Sequence, residues 1–255
     1  MLQQFFESGL LILCYMIIVF ILAIILKNNS IVDIFWGIGF ILIMIYNSDF
    51  MRSESLHNLI FNTLILIWGL RLSLHIFLRN KGKEEDFRYK NWRNTWKNFY
   101  LRSLFQIFLL QGFIMWVVSM PIIRYNYEET SVISWQYIVG IIIFFIGYIF
   151  ETISDYQLFK FKENKQNKGK IIQSGLWKFS RHPNYFGEAV LWWGIALAAT
   201  NQLSDFYVFI SPLLITYLLR YVSGVPMLEA KYKDNKEFKE YSRKTSVFFP
   251  LMQKK

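Results

Sequence analysis

Apolar residues follow one another in long runs along this chain, and polar residues are gathered in the segments between the runs. A helix rises about 1.5 Å per residue, so roughly 20 residues cross a hydrocarbon core of ~30 Å. Most of the runs are about that long, and the sixth is short. Seven runs fit this description: Leu10 to Leu26, Ile31 to Tyr46, Leu59 to Leu78, Leu104 to Met120, Tyr137 to Ile153, Ala189 to Thr200 and Phe206 to Val222. The pattern predicts an all-α membrane bundle of about seven transmembrane helices.

The composition agrees with that prediction. Of the 255 residues, 54% are hydrophobic and 19% are aromatic, which is more apolar surface than a soluble domain of this length can bury. We therefore predict an integral membrane protein that has the lipid bilayer as a partner. The first residues lack a basic region, so the first span is expected to be retained. No linker or repeat divides the chain, which predicts a single domain over residues 1–255.

Basic residues are concentrated in alternate connecting segments. Eight Lys or Arg lie between the third and fourth spans, seven between the fifth and sixth, and eight after the seventh. The other segments contribute Arg52 and Arg124, while Lys27 falls on the basic side. The positive-inside rule then predicts an outside N-terminus and a cytoplasmic C-terminus. This orientation and anionic headgroups account for the net charge of +10, so no nucleic-acid partner is predicted.

Polar side chains interrupt the predicted spans, and all of them lie toward the predicted cytoplasmic end. They are Asp33, Arg71, His75, Gln106, Gln111, Glu151, Asp155, Asn184, Glu188 and Arg220. Because membrane helices keep such residues mainly for a site or a pairing, the pattern predicts one cavity open to the cytoplasm. For any single residue the alternative is structural. Arg71, His75 and Arg220 can extend to headgroups or form ion pairs with the acidic residues of the set.

The segment from Ser180 to Glu188, which reads SRHPNYFGE, carries the densest polar chemistry. Pro183 suits the first turn of a helix, which places Asn184 and Glu188 on one face at i and i+4. We predict a polar ligand site there, at the membrane boundary. His182 has no second His or Cys nearby, so a catalytic zinc is not expected. No phosphate-binding loop, dinucleotide fingerprint or nucleophile elbow is present.

These residues carry a resemblance. Gly175-Leu-Trp, then SRHPNYFGE, then Trp192-Trp193-Gly194 resemble the C-terminal signature of the steroid 5-alpha-reductase superfamily, closest to its bacterial membrane branch. Further matching segments follow in order along the chain: Asp33 to Gly37, Trp68 to Arg71, Arg79 to Tyr89, Gln111-Gly112, Glu151 to Asp155, Ser223 to Glu229 and Tyr241 to Pro250.

The resemblance implies a reductase in the bacterial cell membrane. Seven helices would enclose NADPH, which approaches from the cytoplasm, while a lipophilic enone enters from the membrane. Asn184 and Glu188 would hold the nicotinamide amide or ribose. Other cofactor-binding residues would be Arg71, Glu151, Asp155, Lys170, Arg181, His182, Arg220 and Glu229, with Lys170, Arg181 and Arg220 neutralising the pyrophosphate.

The resemblance also implies catalytic residues. Asp33 matches the acidic residue that polarises the substrate carbonyl, and it would have to be protonated to donate. Trp68 aligns where the steroid enzymes place a tyrosine on the third helix. Tyr185 is a further candidate donor to the carbonyl.

Two other classes of function give different expectations. Arg-His-Pro-x-Tyr before a helix, with a later glutamate, also resembles integral membrane methyltransferases of the isoprenylcysteine and phospholipid type. In that reading Arg181, His182 and Glu229 would cradle S-adenosylmethionine. The reductase is preferred because three segments match only that branch: Asp33 to Trp36, the basic loop from Arg79 to Arg93, and Glu151 to Asp155. A transporter would show two similar halves and polar residues near the midplane, and neither is seen.

Overall fold

The computed structural model describes residues 1–48, 55–127 and 133–253, and in these ranges the regular structure is helical throughout. The helices are α1 Leu2–Ile25, α2 Ile31–Asn47, α3 Leu56–Asn80, α4 Phe87–Thr95, α5 Phe99–Ser103, α6 Leu110–Val118, α7 Met120–Tyr127, α8 Trp135–Glu163, α9 Pro183–Ala198, α10 Ile210–Tyr217, α11 Val225–Ala230 and α12 Lys236–Lys244. The π-helical turn Leu104–Leu109 joins α5 to α6, and a second π-helical turn, Leu218–Val222, follows α10. The 3₁₀ turns are Lys165–Asn167, Gly175–Lys178 and Leu203–Phe209. The predicted all-α class is confirmed.

Five helices in the described part of the chain are long and apolar enough to cross a membrane. They are Leu2–Ile25, Leu56–Asn80, Phe99–Val118, Trp135–Glu163 and Leu203–Ala230. Their outward faces are apolar, as Leu10, Ile18 and Ile25 of α1 show with exposures of 62%, 58% and 68%. Water would penalise such a surface, whereas lipid accommodates it. The chain is therefore an integral membrane protein.

The two remaining predicted spans also coincide with helices, but these are short. Ile31–Asn47 is an apolar helix of 17 residues, and α9 has 16. As predicted, α9 begins inside the SRHPNYFGE segment, with Pro183 in its first turn. Length alone thus supports five crossings rather than the predicted seven. Arg52, used in the orientation argument, lies outside the described residues.

The chain divides into two compact units, residues 1–133 and 134–255. The first contains α1 to α7 around a core that includes Met16, Phe40 and Trp68, all fully buried. Its helices α2 and α3 approach closely at two glycines. A Cβ atom added to Gly69 would lie 2.8 Å from the carbonyl oxygen of Gly37, which is closer than real Cβ contacts. Glycine at both positions is therefore a packing requirement.

The second unit is organised by the contact between α8 and α9. Gly140 and Gly147 of α8 face Gly194 and Gly187 of α9, so glycines meet at two levels one heptad apart. A Cβ on Gly147 would lie 2.5 Å from the Gly187 carbonyl oxygen, and one on Gly194 would lie 2.5 Å from the backbone nitrogen of Phe144. Small residues let membrane helices pack backbone against backbone. Side chains that follow these glycines are consequently held close together.

One predicted loop residue is corrected by the structure. Arg124 was assigned to an external loop, but α7 continues to Tyr127 and Arg124 is only 2% exposed. Beside it, Asn126 and Asn62 exchange amide hydrogen bonds of 2.9 and 3.1 Å between α7 and α3. The loop prediction was wrong because a short polar helix end has the same composition as a loop. Arg124 is not a position for testing exposure to the outside.

The orientation predicted from the basic segments is testable by cysteine labelling in a Cys14→Ser background. Cysteines at Lys90 and Lys165, which are exposed, are expected to react with an impermeant maleimide only from the cytoplasmic side. A cysteine at the exposed Ser204 is expected to react only from outside. Labelling of position 204 from the cytoplasm would contradict the orientation.

The glycine contact predicts a second outcome. Gly187→Ala places a methyl group 2.6 Å from the Gly147 carbonyl oxygen, so α8 and α9 must separate. Overpacking of this kind costs about 1–3 kcal/mol, and we expect the thermal midpoint in detergent to fall by about 5 °C. Ile146→Ala, at an exposed position of α8, is the control and should change the midpoint little. An unchanged midpoint for Gly187→Ala would show that the helices separate freely.

Candidate functional site

Hydrogen bonds fix the turn that leads into α9. The Ser180 hydroxyl accepts from the backbone N–H of His182 at 3.1 Å and donates to the carbonyl oxygen of Phe248 at 2.8 Å. The buried phenol of Tyr241 reaches the carbonyl oxygens of Trp177 and Ser180. Hydrogen bonds with Tyr241 and Phe248, in the C-terminal segment, thus stabilise the turn. Side chains carried by the turn therefore have defined directions.

Arg181 and His182 converge on one carboxylate, that of Glu229 in α11. Arg181 donates from Nε to Glu229 Oε1 at 2.8 Å and from Nη2 to Oε2 at 3.2 Å. Its Nη1 donates to the backbone oxygens of Ser242 and Thr245 at 2.8 and 3.5 Å. His182 Nε2 lies 2.9 Å from Glu229 Oε1. A bidentate pair backed by main-chain acceptors leaves little of the guanidinium for another anion.

The protonation of His182 follows from these contacts. A carboxylate only accepts hydrogen bonds, so the contact with Glu229 requires a proton on Nε2. Burial lowers the pKa of His182; Glu229 opposes this effect, and the charges of Arg181 and Arg220 add to it. The imidazole is therefore neutral near pH 7, and its Nδ1 carries a lone pair. Tyr185 stacks on the ring with centroids 5.6 Å apart.

The glycine contact between α8 and α9 brings polar side chains of the two helices together and so forms a second cluster. Asn184 Nδ2 donates to Asp155 Oδ1 at 3.1 Å, one turn beyond the buried Glu151. Because the carboxylate needs a donor, the amide orientation is determined and the Asn184 oxygen faces away from Asp155. That oxygen is buried and has no hydrogen-bond partner in the part of the chain that the structure describes. Glu188, one turn along α9, is also buried.

The two other predicted cations of this unit lie in different settings. Arg220 belongs to the π-helical turn Leu218–Val222, and its guanidinium lies 4.7 Å from the centroid of the Tyr221 ring. Turns of this kind are frequent at functional sites. Lys170 is exposed in the segment between α8 and α9. Arg220 is near enough to His182 to affect its pKa, whereas Lys170 lies at the surface.

Asp33, in the first unit, lies in the first turn of α2 and receives two donors. Arg88 Nη2 is 2.9 Å from Asp33 Oδ2, and the Tyr89 hydroxyl is 2.7 Å from Oδ1. Both contacts use Asp33 as a hydrogen-bond acceptor, whereas the predicted polarising role needs it as a donor. Its observed cationic partner is Arg88, where the structural alternative had included Arg71. Burial and the charge of Asp33 raise the pKa of Tyr89 well above its ordinary value.

Two more carboxylates bind residues of α4, and one of them also binds the segment that precedes α2. Asp86 caps α4 by accepting from the Arg88 backbone N–H at 3.0 Å, and it also accepts from Arg88 Nε at 2.9 Å. Glu85 accepts from the backbone N–H of Asn29 at 2.7 Å and from Arg93 at 2.8 Å. Burial opposes ionisation of Glu85, but these donors outweigh it and lower its pKa. The cluster has the character of a structural ion-pair network.

The predicted site residues are thus divided between the two units. Ten of the thirteen lie in the second unit, and Asp33, Trp68 and Arg71 lie in the first. Trp68 is fully buried on α3, in edge-to-face contact with Phe40 at 5.5 Å. Arg71 lies one turn further along α3. The catalytic roles predicted for Asp33 and Trp68 stay predictions.

Comparison with known proteins places the chain in a family. The family described as "Protein of unknown function (DUF1295)" matches residues 19–245, which is most of the chain. The chain belongs to the DUF1295 family. No solved structure matches this DUF1295 protein.

Curated relatives add shorter matches. The "Steroid 5-alpha-reductase DET2" of Arabidopsis thaliana is 31% identical over 91 residues, which is 35% of this chain and 34% of that protein, and the protein of the same name from Gossypium hirsutum gives the same figures. A "Probable O-methyltransferase ustE" of Ustilaginoidea virens is 40% identical over 64 residues, 25% of this chain and 22% of that protein. The chain thus spans about a third of the length of the reductases it matches. Together with the family match, these reductases confirm the predicted superfamily.

Several residues that shape the DUF1295 site were missed from the sequence. Tyr241 and Ser180 brace the turn into α9, and Arg88 and Tyr89 bind Asp33. All four fall inside segments that carry the resemblance, yet their partners are distant in sequence. One available signal was overlooked: the glycines of α8 and of α9 are each spaced by one heptad, which is typical of closely packed helices.

The Asp33 cluster yields a prediction that separates a structural from a catalytic role. Asp33→Asn and Arg88→Gln should each lower stability by about 1–2 kcal/mol, since each removes the ion pair between these two partly buried side chains. The double variant should be little worse than either single variant, giving a coupling of about 1 kcal/mol in denaturation measurements. Wild-type stability in Asp33→Asn, with single-turnover hydride transfer slowed roughly 10²-fold, would instead support the predicted polarising role.

Proposed function

We propose that this protein is a membrane-embedded NADPH-dependent reductase that transfers a hydride to a carbon–carbon double bond of a lipophilic substrate, steroid-like, isoprenoid or another enone. The observation that carries the proposal is the pairing of Asp155 with Asn184, in which the buried Asn184 oxygen has no partner within residues 1–48, 55–127 and 133–253. An unsatisfied buried acceptor is costly unless a ligand donates to it. A carboxamide N–H or a ribose hydroxyl is such a donor. The superfamily supplies the class of reaction.

The second unit offers the types of side chain that the groups of a dinucleotide need. Asn184 and Glu188 offer acceptors to the carboxamide or ribose, and Asp155 with Glu151 offers carboxylates to nucleotide hydroxyls. Arg220 supplies a cation for phosphate, with Lys170 available at the surface. Arg181, whose donors go to Glu229 and the backbone, is less suited to the predicted phosphate contact. Bound NADPH would supply the hydride, and the chain would bind and orient it.

The same proposal includes the placement of the enzyme. Seven helices would cross a bacterial cell membrane, with α2 and α9 as the two short spans and the N-terminus outside. The nucleotide would then bind from the cytoplasm, where the basic segments lie. The lipophilic substrate would enter from the bilayer, which suits a protein whose outward faces are apolar.

A second candidate function is favoured by one specific observation. Arg181, His182 and Glu229, the residues predicted to hold S-adenosylmethionine in an integral membrane methyltransferase, form one contact network. The match to a probable O-methyltransferase points the same way, over a quarter of the chain. The reductase remains our preference because the two more extensive matches are to reductases.

Cofactor preference tests the main proposal. We expect purified protein to bind NADPH more tightly than NADH by roughly 10-fold to 100-fold, since a cation such as Arg220 can meet the additional 2′-phosphate. Titration calorimetry in detergent measures both affinities, with S-adenosylmethionine as a third ligand. Binding of S-adenosylmethionine with no binding of either dinucleotide would favour the methyltransferase.

Glu188→Gln tests the placement of the nucleotide. The substitution keeps the shape of the side chain but removes an anionic acceptor, so NADPH should bind roughly 10-fold more weakly while the protein stays folded. Glu163→Gln, at the exposed end of α8, is the matched control and should bind like the wild type. Equal NADPH affinity in both variants would remove Glu188 from the site.

A further inference from the structure

Two side-chain acceptors at the start of α9, one on His182 and one on Asn184, have no hydrogen-bond partner among the residues that the structure describes. His182 uses its Nε2 proton for Glu229, and Asn184 uses its amide nitrogen for Asp155. The Nδ1 lone pair of His182 and the Oδ1 atom of Asn184 are what these contacts leave over. The two residues are separated by Pro183 alone, so both acceptors belong to the same turn.

The histidine is held in this state by a chain of contacts. Arg181 donates hydrogen bonds to both carboxylate oxygens of Glu229. It also donates to the carbonyl oxygens of Ser242, near the end of α12, and of Thr245, which follows α12. Glu229 therefore stays ionised and directed at His182, which keeps the proton on Nε2. The charged groups around the ring are Glu229 on α11, Arg181 on the turn and Arg220 on the π-helical turn. Both cations disfavour a second proton on the imidazole.

We propose that His182 faces the nucleotide as a hydrogen-bond acceptor, its Nδ1 receiving an N–H or O–H of the ligand, while Arg181 and Glu229 act as positioning residues. The inference rests on the proposed function for the identity of the ligand. It differs from a site in which Arg181 contacts phosphate, because here Arg181 acts through Glu229. The ligand groups suited to this acceptor are a carboxamide, a ribose hydroxyl or an exocyclic amine.

Two substitutions of His182 separate the two ring nitrogens. The Asn side chain places its terminal atoms near the position of Nδ1, so His182→Asn can keep an acceptor toward the ligand but loses the contact with Glu229. The Gln side chain reaches the position of Nε2, so His182→Gln can still donate to Glu229 but loses the acceptor. If His182 is an acceptor for the ligand, the Asn variant should bind better. If the only role of His182 is to donate to Glu229, the Gln variant should bind the ligand better than the Asn variant.

Calorimetric titration with NADP⁺ is the measurement, with thermal midpoints recorded to report the folded fraction. We expect His182→Gln to lose roughly 10-fold in affinity, the equivalent of one hydrogen bond, and His182→Asn to stay within about 3-fold of the wild type. The reverse order, or equal affinities in all three proteins, would overturn the proposal. Glu229→Gln should also weaken binding, although this residue does not itself touch the ligand in our account.

The tautomer can be read without any ligand. The chain contains three histidines, so ¹⁵N-histidine labelling gives few signals, and His182→Asn assigns the one of interest. We expect a neutral ring with its proton on Nε2 near pH 7. A proton on Nδ1, or a doubly protonated ring, would contradict the proposal whatever the protein binds.

The same experiments distinguish this proposal from the proposed function. If the wild type binds S-adenosylmethionine instead of NADP⁺, the reductase is wrong, and the Asn and Gln variants are compared on S-adenosylmethionine with the same expectations. If the wild type binds NADP⁺ but the two variants behave in the reverse order, the reductase stands and the role of His182 is overturned. If the wild type binds neither ligand, both proposals fail.

Discussion

The second unit depends on one constraint, the direct contact of the α8 and α9 backbones. Glycines at two levels, one heptad apart, leave no room for a Cβ atom, so the register of one helix on the other is set. That register determines which polar side chains meet at the end of the pair. Asp155 reaches Asn184 because α8 and α9 are this close. A site of buried polar groups, each costly if unpaired, requires such precision.

One charged residue of the second unit has a different role from the one that its charge suggests. Arg181 resembles an anion-binding residue, yet its donors are directed at Glu229 and at main-chain oxygens. Its effect is to hold a carboxylate, which in turn holds a histidine. In the first unit Asp33 is likewise an acceptor for Arg88 and Tyr89. Assignment of roles by residue type alone would misplace both.

Much of the fold could be predicted from the sequence because a long run of apolar residues is a direct sign of a membrane helix. All seven apolar runs fall on helices, and the start of α9 at Pro183 follows from the lack of a backbone donor in proline. The function of the thirteen candidate residues as a site stays a prediction, but their concentration was predictable, since ten of them lie in one unit. Their pairing was not, because Arg181 and Glu229 are 48 positions apart and nothing local connects them. Arg124 was misassigned because burial depends on packing that composition does not record.

We propose that the turn into α9 and its neighbours bind a pyridine dinucleotide. Native mass spectrometry of the protein released gently from detergent identifies the small molecule that remains bound after purification. We expect a retained mass equal to that of NADPH or NADP⁺, and loss of that adduct in Glu188→Gln. Retention of S-adenosylmethionine or its demethylated product, with no dinucleotide bound even when NADPH is added in excess, would contradict it.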